Sequence, residues 1–219
     1  ILKTVSPVPL PEETYFDNLE RLYSRLEGVD AILHDPKVTT VRLVTNPEKI
    51  VIRETQRAFM YFCLYGLSID SVIINRVIPG GSEEDFFKNW RKLQAGYITQ
   101  IEQYFSPVPI RSVQLCSQEV LGIEGLRKLS RSLFDKDDPT AILFEENPYQ
   151  FVKKNGKLEL SLRLPFVMKG DLDLHKAEDE LIVRIGSFKK HISLPRSFAR
   201  AEPKSGRYEG DRVIIQFEA

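Results

Sequence analysis

Apolar and polar positions follow two different rules along this 219-residue chain, and the rule changes near Asn147-Pro148. Before that point, apolar residues recur at helical spacing in long segments, separated by short and nearly unbroken apolar runs. After it, apolar and polar residues tend to alternate one by one.

In the first part, Phe16, Leu19, Leu22, Tyr23 and Leu26 recur every three or four positions and predict a helix. Leu10-Pro11-Glu12-Glu13 opens it, since an early Pro and first-turn acids suit the free N–H groups there. His34-Asp35-Pro36 closes it. Its apolar stripe between Tyr15 and Leu33 is expected to pack into a core, the commoner use of such a stripe. Thr39 to Thr45, rich in β-branched residues, predicts a strand. Pro47-Glu48 starts a second helix that runs to about Leu64 and stops at Gly66. Ser71 to Val77 reads as a strand covered on both faces. Ser82-Glu83-Glu84 opens a third helix to about Phe105, Pro107 to Leu115 is a third strand, and Glu119 to Leu133 a fourth helix.

Alternating strands and helices predict a parallel α/β sheet. Three strands alone would leave apolar strand faces and an edge uncovered. The sheet is therefore expected to continue with strands preceding Ile1, which is not a Met.

The second part predicts a small all-β sandwich. Tyr149–Val152, Leu158–Pro165, Asp171–Lys176, Glu180–Gly186, Phe188–Leu194 and Arg212–Phe217 read as short strands. Leu158, Leu160, Leu162 and Leu164 fall on one face, with Glu159, Ser161 and Arg163 on the other. Lys154-Asn155-Gly156 is a hairpin signal. Two domains are expected, residues 1–147 and 148–219.

Charge divides the chain at the same place. Residues 150–219 hold 14 Lys/Arg against 10 Asp/Glu, while residues 1–149 hold 17 against 21. The totals balance at 31 each, so net charge gives no general argument for nucleic acid or an anionic membrane as partner. The apolar runs are too short to span a bilayer, and no signal peptide is expected. Two cysteines, Cys63 and Cys116, lie far apart in apolar segments. That pattern fits small core residues in a reducing cytoplasm rather than a disulfide framework. The three histidines are isolated, so no zinc or other protein-held metal is expected.

No G-x-x-x-x-G-K-[ST] or G-x-G-x-x-G stretch occurs, and no Ser/His/Asp or Cys/His arrangement is recognisable. Taken alone, the residues carry no catalytic constellation.

Four blocks nevertheless stand in a telling order. They are Val44-Thr45-Asn46-Pro47-Glu48, Glu54 to Arg57, Ile74-Asn75-Arg76, and Leu115 to Gly122. Together they resemble the ArsA family of P-loop ATPases over roughly residues 10–145. That family comprises arsenite-transport ATPases and the tail-anchored-protein targeting factor. Residues 149–217, through Tyr149-Gln150-Phe151, Leu162 to Pro165, Asp173 to Val183, Ile192 to Pro195 and Gly210 to Phe217, resemble the small heat-shock-like (α-crystallin-type) domain appended to many bacterial members. The resemblance implies an incomplete P-loop fold followed by a protein-contact domain. It implies a full-length cytoplasmic ATPase that uses ATP and Mg2+ and handles an anion or a protein client, with homodimers as one form. The glycine-rich loop, switch segments and magnesium-binding Asp of the family would lie nearer the N-terminus than these blocks.

By resemblance Asn75 hydrogen-bonds the adenine ring, and its side chain offers both a donor and an acceptor for the purpose. Asn is also a common turn residue at a strand end. Gln114, Leu115 and Cys116 would line the other side of the base, although many members carry Pro where Gln114 stands. Thr45 and Pro47 would sit at the neighbouring strand end, near switch residues. Arg76 would lean on base or ribose, or simply be solvated, and Glu48 reads better as a first-turn helix acid. The targeting factor's C-x-x-C pair and the arsenite cysteine triad have no counterpart here, which counts against arsenite extrusion and a zinc-clamped dimer. The competing reading is a non-catalytic, chaperone-like binding module with a degenerate nucleotide fold.

Overall fold

The computed structural model describes residues 13–80, 85–154, 157–168 and 170–218. The expected openings of the first helix at Leu10–Glu12 and of the third at Ser82–Glu84 fall outside these residues. So does the Asn155-Gly156 turn.

A first layer is built on three parallel strands, β1 (Val41–Thr45), β2 (Ile69–Val77) and β3 (Ile110–Gln114), in the order β1-β2-β3. Its helices are α1 (Glu13–His34), α2 (Lys49–Leu64), α3 (Asp85–Phe105) and α4 (Gly122–Phe134). Leu43, Val72 and Ile74 of the sheet share one core with Ile52, Phe59 and Cys63 of α2 and Ile101 and Phe105 of α3. β2 is central and mostly buried. β1 and β3 are both edges, and Val44 on β1 is 58% exposed. α2 stops as predicted: Gly66 takes φ +80°, its N–H donates to the Cys63 carbonyl, and the Leu67 N–H donates to that of Phe62. This paired termination suits glycine in the left-handed region.

The second layer holds seven antiparallel strands in two sheets. One has the order β4-β5-β10-β9, from β4 (Tyr149–Lys154), β5 (Lys157–Arg163), β9 (Glu202–Glu209) and β10 (Arg212–Glu218). The other has the order β6-β7-β8, from β6 (Leu172–Ala177), β7 (Glu180–Ile185) and β8 (Phe188–Ser193). A four-residue helix, α5 (Arg196–Ala199), precedes β9. The even-numbered leucines from 158 to 164 pack inward together with Leu181, Val183, Ile215 and Phe217. β9 escapes a pattern-based reading because it is an exposed edge of Pro, Lys, Gly and charged residues, the composition that guards an edge against further pairing.

Two expectations fail, and one position opposite the inward leucines is covered as well. The α1 stripe is not core: Phe16, Leu22, Tyr23 and Leu26 are all more than half exposed, because no described element lies opposite them. Cys116 is exposed, since it stands just past the end of β3 rather than inside the sheet. Arg163 is not on a solvated face. It is only 4% exposed, because the outer face of β5 at that point is covered by α2 and the segment leading into β4.

The two layers meet on α2. Its residues Met60 and Leu64 belong to the β-sandwich core, while Phe59 and Cys63 belong to the α/β core. Tyr61 stacks on Phe188 with ring centroids 4.5 Å apart. Phe166, held at φ +71°, presents itself edge-on to Phe59 and Phe105. Between the layers, the Arg163 guanidinium pairs with Glu146 at 2.6 Å and with Asp211 at 2.7 Å, and lies 5.0 Å over the Phe59 ring. A second buried pair fastens the connecting segment to the sheet. Asp70, fully buried, receives Arg42, whose guanidinium also donates to the carbonyls of Pro139 and Ala141.

Removing Arg163 takes the cation from Asp211, leaves Glu146 with Arg212 alone, and uncovers the Phe59 ring. Arg163→Ala is therefore expected to cost about 1–3 kcal/mol. Denaturant unfolding checks this, and a loss within experimental scatter would refute the joint as described. The thiols provide a second check. Burial pushes the Cys63 thiol up to about 12, so it stays protonated at neutral pH, whereas Cys116 is open to solvent. A thiol reagent at pH 7 should modify Cys116 alone, and Cys63 only after unfolding. Two fast equivalents in the native protein would contradict this.

Candidate functional site

The carboxyl ends of parallel strands form the natural crevice of an open α/β sheet. Here a crevice of about 500 Å³ lies where β2 and β3 end, lined by Asn75 and Arg76 from β2 and by Gln114, Leu115 and Cys116 from the end of β3 and just beyond. The following segment, Ser117 to Val120, closes it on the α4 side.

The end of β2 is not regular. Ile74 stands opposite Ser112 and Val77 opposite Gln114, so Asn75 and Arg76 together face a single β3 residue, Val113. The extra residue is a bulge, a feature that re-aims side chains. Arg76 takes φ +58° within it, a conformation costing a non-glycine residue about 1–3 kcal/mol. The backbone around it is held from outside. Gln94 on α3, 7% exposed, accepts from the Ile78 N–H at 2.9 Å and donates to the Arg76 carbonyl at 3.2 Å. The Arg76 N–H donates to Asn75 Oδ1 at 3.0 Å.

Asn75 is half-buried and Arg76, Gln114, Leu115 and Cys116 are exposed. The rim thus offers one fixed amide, one guanidinium, an apolar side chain and a thiol. The arrangement suits a flat heteroaromatic ring with a donor and an acceptor on one edge.

Of the seven residues singled out in the sequence, five line this crevice. Thr45 and Pro47 do not: both are buried, and the Thr55 hydroxyl donates to Thr45 Oγ1 at 2.9 Å, joining the end of β1 to α2. They stand at the end of the strand beside β2. Gln94 was missed, because a lone glutamine within a helical pattern carries no signal until the bulge it binds is seen.

Among the described residues no group of three His, Cys, Asp or Glu side chains gathers in a way that could hold a metal ion. No described helix is long and apolar enough to cross a membrane.

Comparison with known proteins gives the same outline. Residues 2–135 match the model of the anion-transporting ATPase family (ArsA_ATPase), and residues 155–217 match that of the HSP20-like domain found in ArsA. An Aquifex aeolicus protein, whose name assigns it as an arsenical pump-driving ATPase, is 43% identical over 215 residues, which are 96% of this chain and 54% of that protein. A similarly named Chlorobaculum tepidum protein is 32% identical over 95% of this chain and 52% of its own length. The ATPase GET3 of Candida glabrata is 27% identical over 128 residues, 56% of this chain and 36% of that protein. The chain spans about half the length of the two arsenical pump-driving relatives it matches. With its strand-end blocks and its antiparallel domain both matched, the chain belongs to the ArsA family of anion-transporting ATPases.

Proposed function

We propose that this chain supplies the base-side wall of an adenine nucleotide site in an ATP-hydrolysing protein. The observation that carries the reading is the gathering of Asn75, Arg76 and Gln114 to Cys116 at adjacent parallel strand ends, around one crevice. The Asn75 amide would donate to a ring nitrogen and accept from the exocyclic amine. Leu115 would lie against the ring face and Arg76 beside the ribose or base. Thr45 and Pro47 would act indirectly, by fixing the neighbouring strand end.

The phosphates require groups that these residues do not provide, since no glycine-rich phosphate loop occurs in the 219 residues. Among the described residues no cluster of His, Cys, Asp or Glu side chains is placed to hold Mg2+. Binding and hydrolysis of the triphosphate belong in this reading to a phosphate-binding half outside these residues. ATP would then drive the handling of an anion or a protein client in the cytoplasm. The β-sandwich would take part through protein contact, without chemistry of its own. The relatives' names, an arsenical pump-driving ATPase and the ATPase GET3, support the class of activity.

Adenosine titrated into the 15N-labelled 219-residue chain should shift the amide resonances of Arg76 and Leu115. Asn75→Ala should weaken binding about tenfold, the equivalent of ~1.4 kcal/mol. An affinity unchanged by that substitution would reject the base contact.

A further inference from the structure

An asparagine amide is a poor discriminator when it is free to turn. The six-membered edge of adenine presents an N6 amine donor beside an N1 acceptor, while hypoxanthine presents an O6 acceptor beside an N1–H donor. Rotating the amide by 180° exchanges its oxygen and nitrogen and serves either base equally well. Specificity therefore requires something that pins the oxygen.

Here the oxygen is pinned. The Arg76 N–H occupies one lone pair of Asn75 Oδ1 at 3.0 Å, an interaction that the –NH2 end of the amide cannot replace. That N–H and the Asn75 side chain meet within the bulge formed by residues 75 and 76, through which the backbone continues with Arg76 in the left-handed region. Arginine has no intrinsic preference for that conformation. What grips both flanks of it is Gln94. Its Oε1 takes the Ile78 N–H and its Nε2 reaches the Arg76 carbonyl, so two backbone groups of fixed polarity set its orientation in turn. Gln94 sits on α3, nearly buried, and does not line the crevice.

The geometry points to Gln94 as a positioning residue that sets the crevice's preference for a 6-amino over a 6-oxo purine. It does so through three linked parts: Gln94 holds the bulge, the bulge aims the Arg76 N–H, and that N–H locks the Asn75 amide. The inference rests on the base-binding reading above. It adds a determinant that makes no contact with the ligand.

The test uses adenosine and inosine as probes on the whole 219-residue chain, titrated by NMR. The wild-type chain should bind adenosine more tightly than inosine. Gln94→Glu keeps the shape but replaces the donor facing the Arg76 carbonyl with an acceptor. Gln94→Met keeps the length and removes both bonds. Either variant should lower the adenosine-to-inosine affinity ratio by roughly two- to tenfold, one neutral hydrogen bond's worth. Resonances of the β-sandwich should stay unchanged. Glycine accepts the left-handed conformation freely, so adding Arg76→Gly to Gln94→Met should restore part of the ratio. A purely structural role predicts a different result, with both nucleosides weakened alike and the ratio intact, and that outcome overturns the proposal. Loss of the ratio in Asn75→Ala with its retention in both Gln94 variants rejects Gln94 alone. No adenosine binding by the wild-type chain rejects the base reading and this inference with it.

Discussion

A helix that is apolar on two sides must be covered on two sides. α2 is such a helix, and its double burial holds the protein together. Phe59 and Cys63 face the parallel sheet while Met60 and Leu64 face the sandwich, so consecutive residues serve different cores. Neither layer satisfies the helix alone. The stacked Tyr61–Phe188 pair and the Phe166 edge contacts extend the apolar joint. Arg163 supplies its polar centre, and in so confined a space its charge is tolerable only because Glu146 and Asp211 meet it and Phe59 shields it.

The joint and the crevice are built on the same logic: an irregular backbone is overdetermined by side chains from another element. At the crevice, a two-residue bulge is stabilised by one glutamine from α3. At the joint, Phe166 combines a positive φ with edge contacts to three aromatic rings. Along the connecting segment, Arg42 reads two carbonyls while anchored on buried Asp70. In each case a regular element fixes an irregular one, and the irregular one carries the distinctive chemistry or contact.

Much of this was legible in the sequence. The spacing of Phe16 through Leu26, the stop at Gly66 and the alternating leucines of β5 each state their element by periodicity, a local property. What was not legible depended on neighbours distant in the chain. Arg163 alternates correctly as an outward residue, and nothing near it in sequence says that α2 covers that face. Cys116 lies in an apolar stretch, but its strand ends two residues before it. The α1 stripe has the pattern of a packed helix, but a pattern cannot say whether a partner stands opposite. β9 lacks alternation because an edge strand needs charge more than apolar contact. In the candidate site, the strand-end residues were found through motif order. Gln94 was not, since its meaning lies wholly in the two backbone groups it touches.

The grip of Arg163 also bears on how the protein can be divided. A cut at Asn147-Pro148 looks natural, since the parallel layer's last helix is complete and the first antiparallel strand begins at Tyr149. Severed there, the sandwich would retain its guanidinium and Asp211 but forfeit Glu146, which also pairs with Arg212, and the aromatic lid of Phe59. It would also expose the patch that Met60 and Leu64 now cap. Excised as a free-standing module, the sandwich would carry guanidiniums short of one carboxylate beside a bare apolar scar, the combination that favours sticking to whatever is nearby.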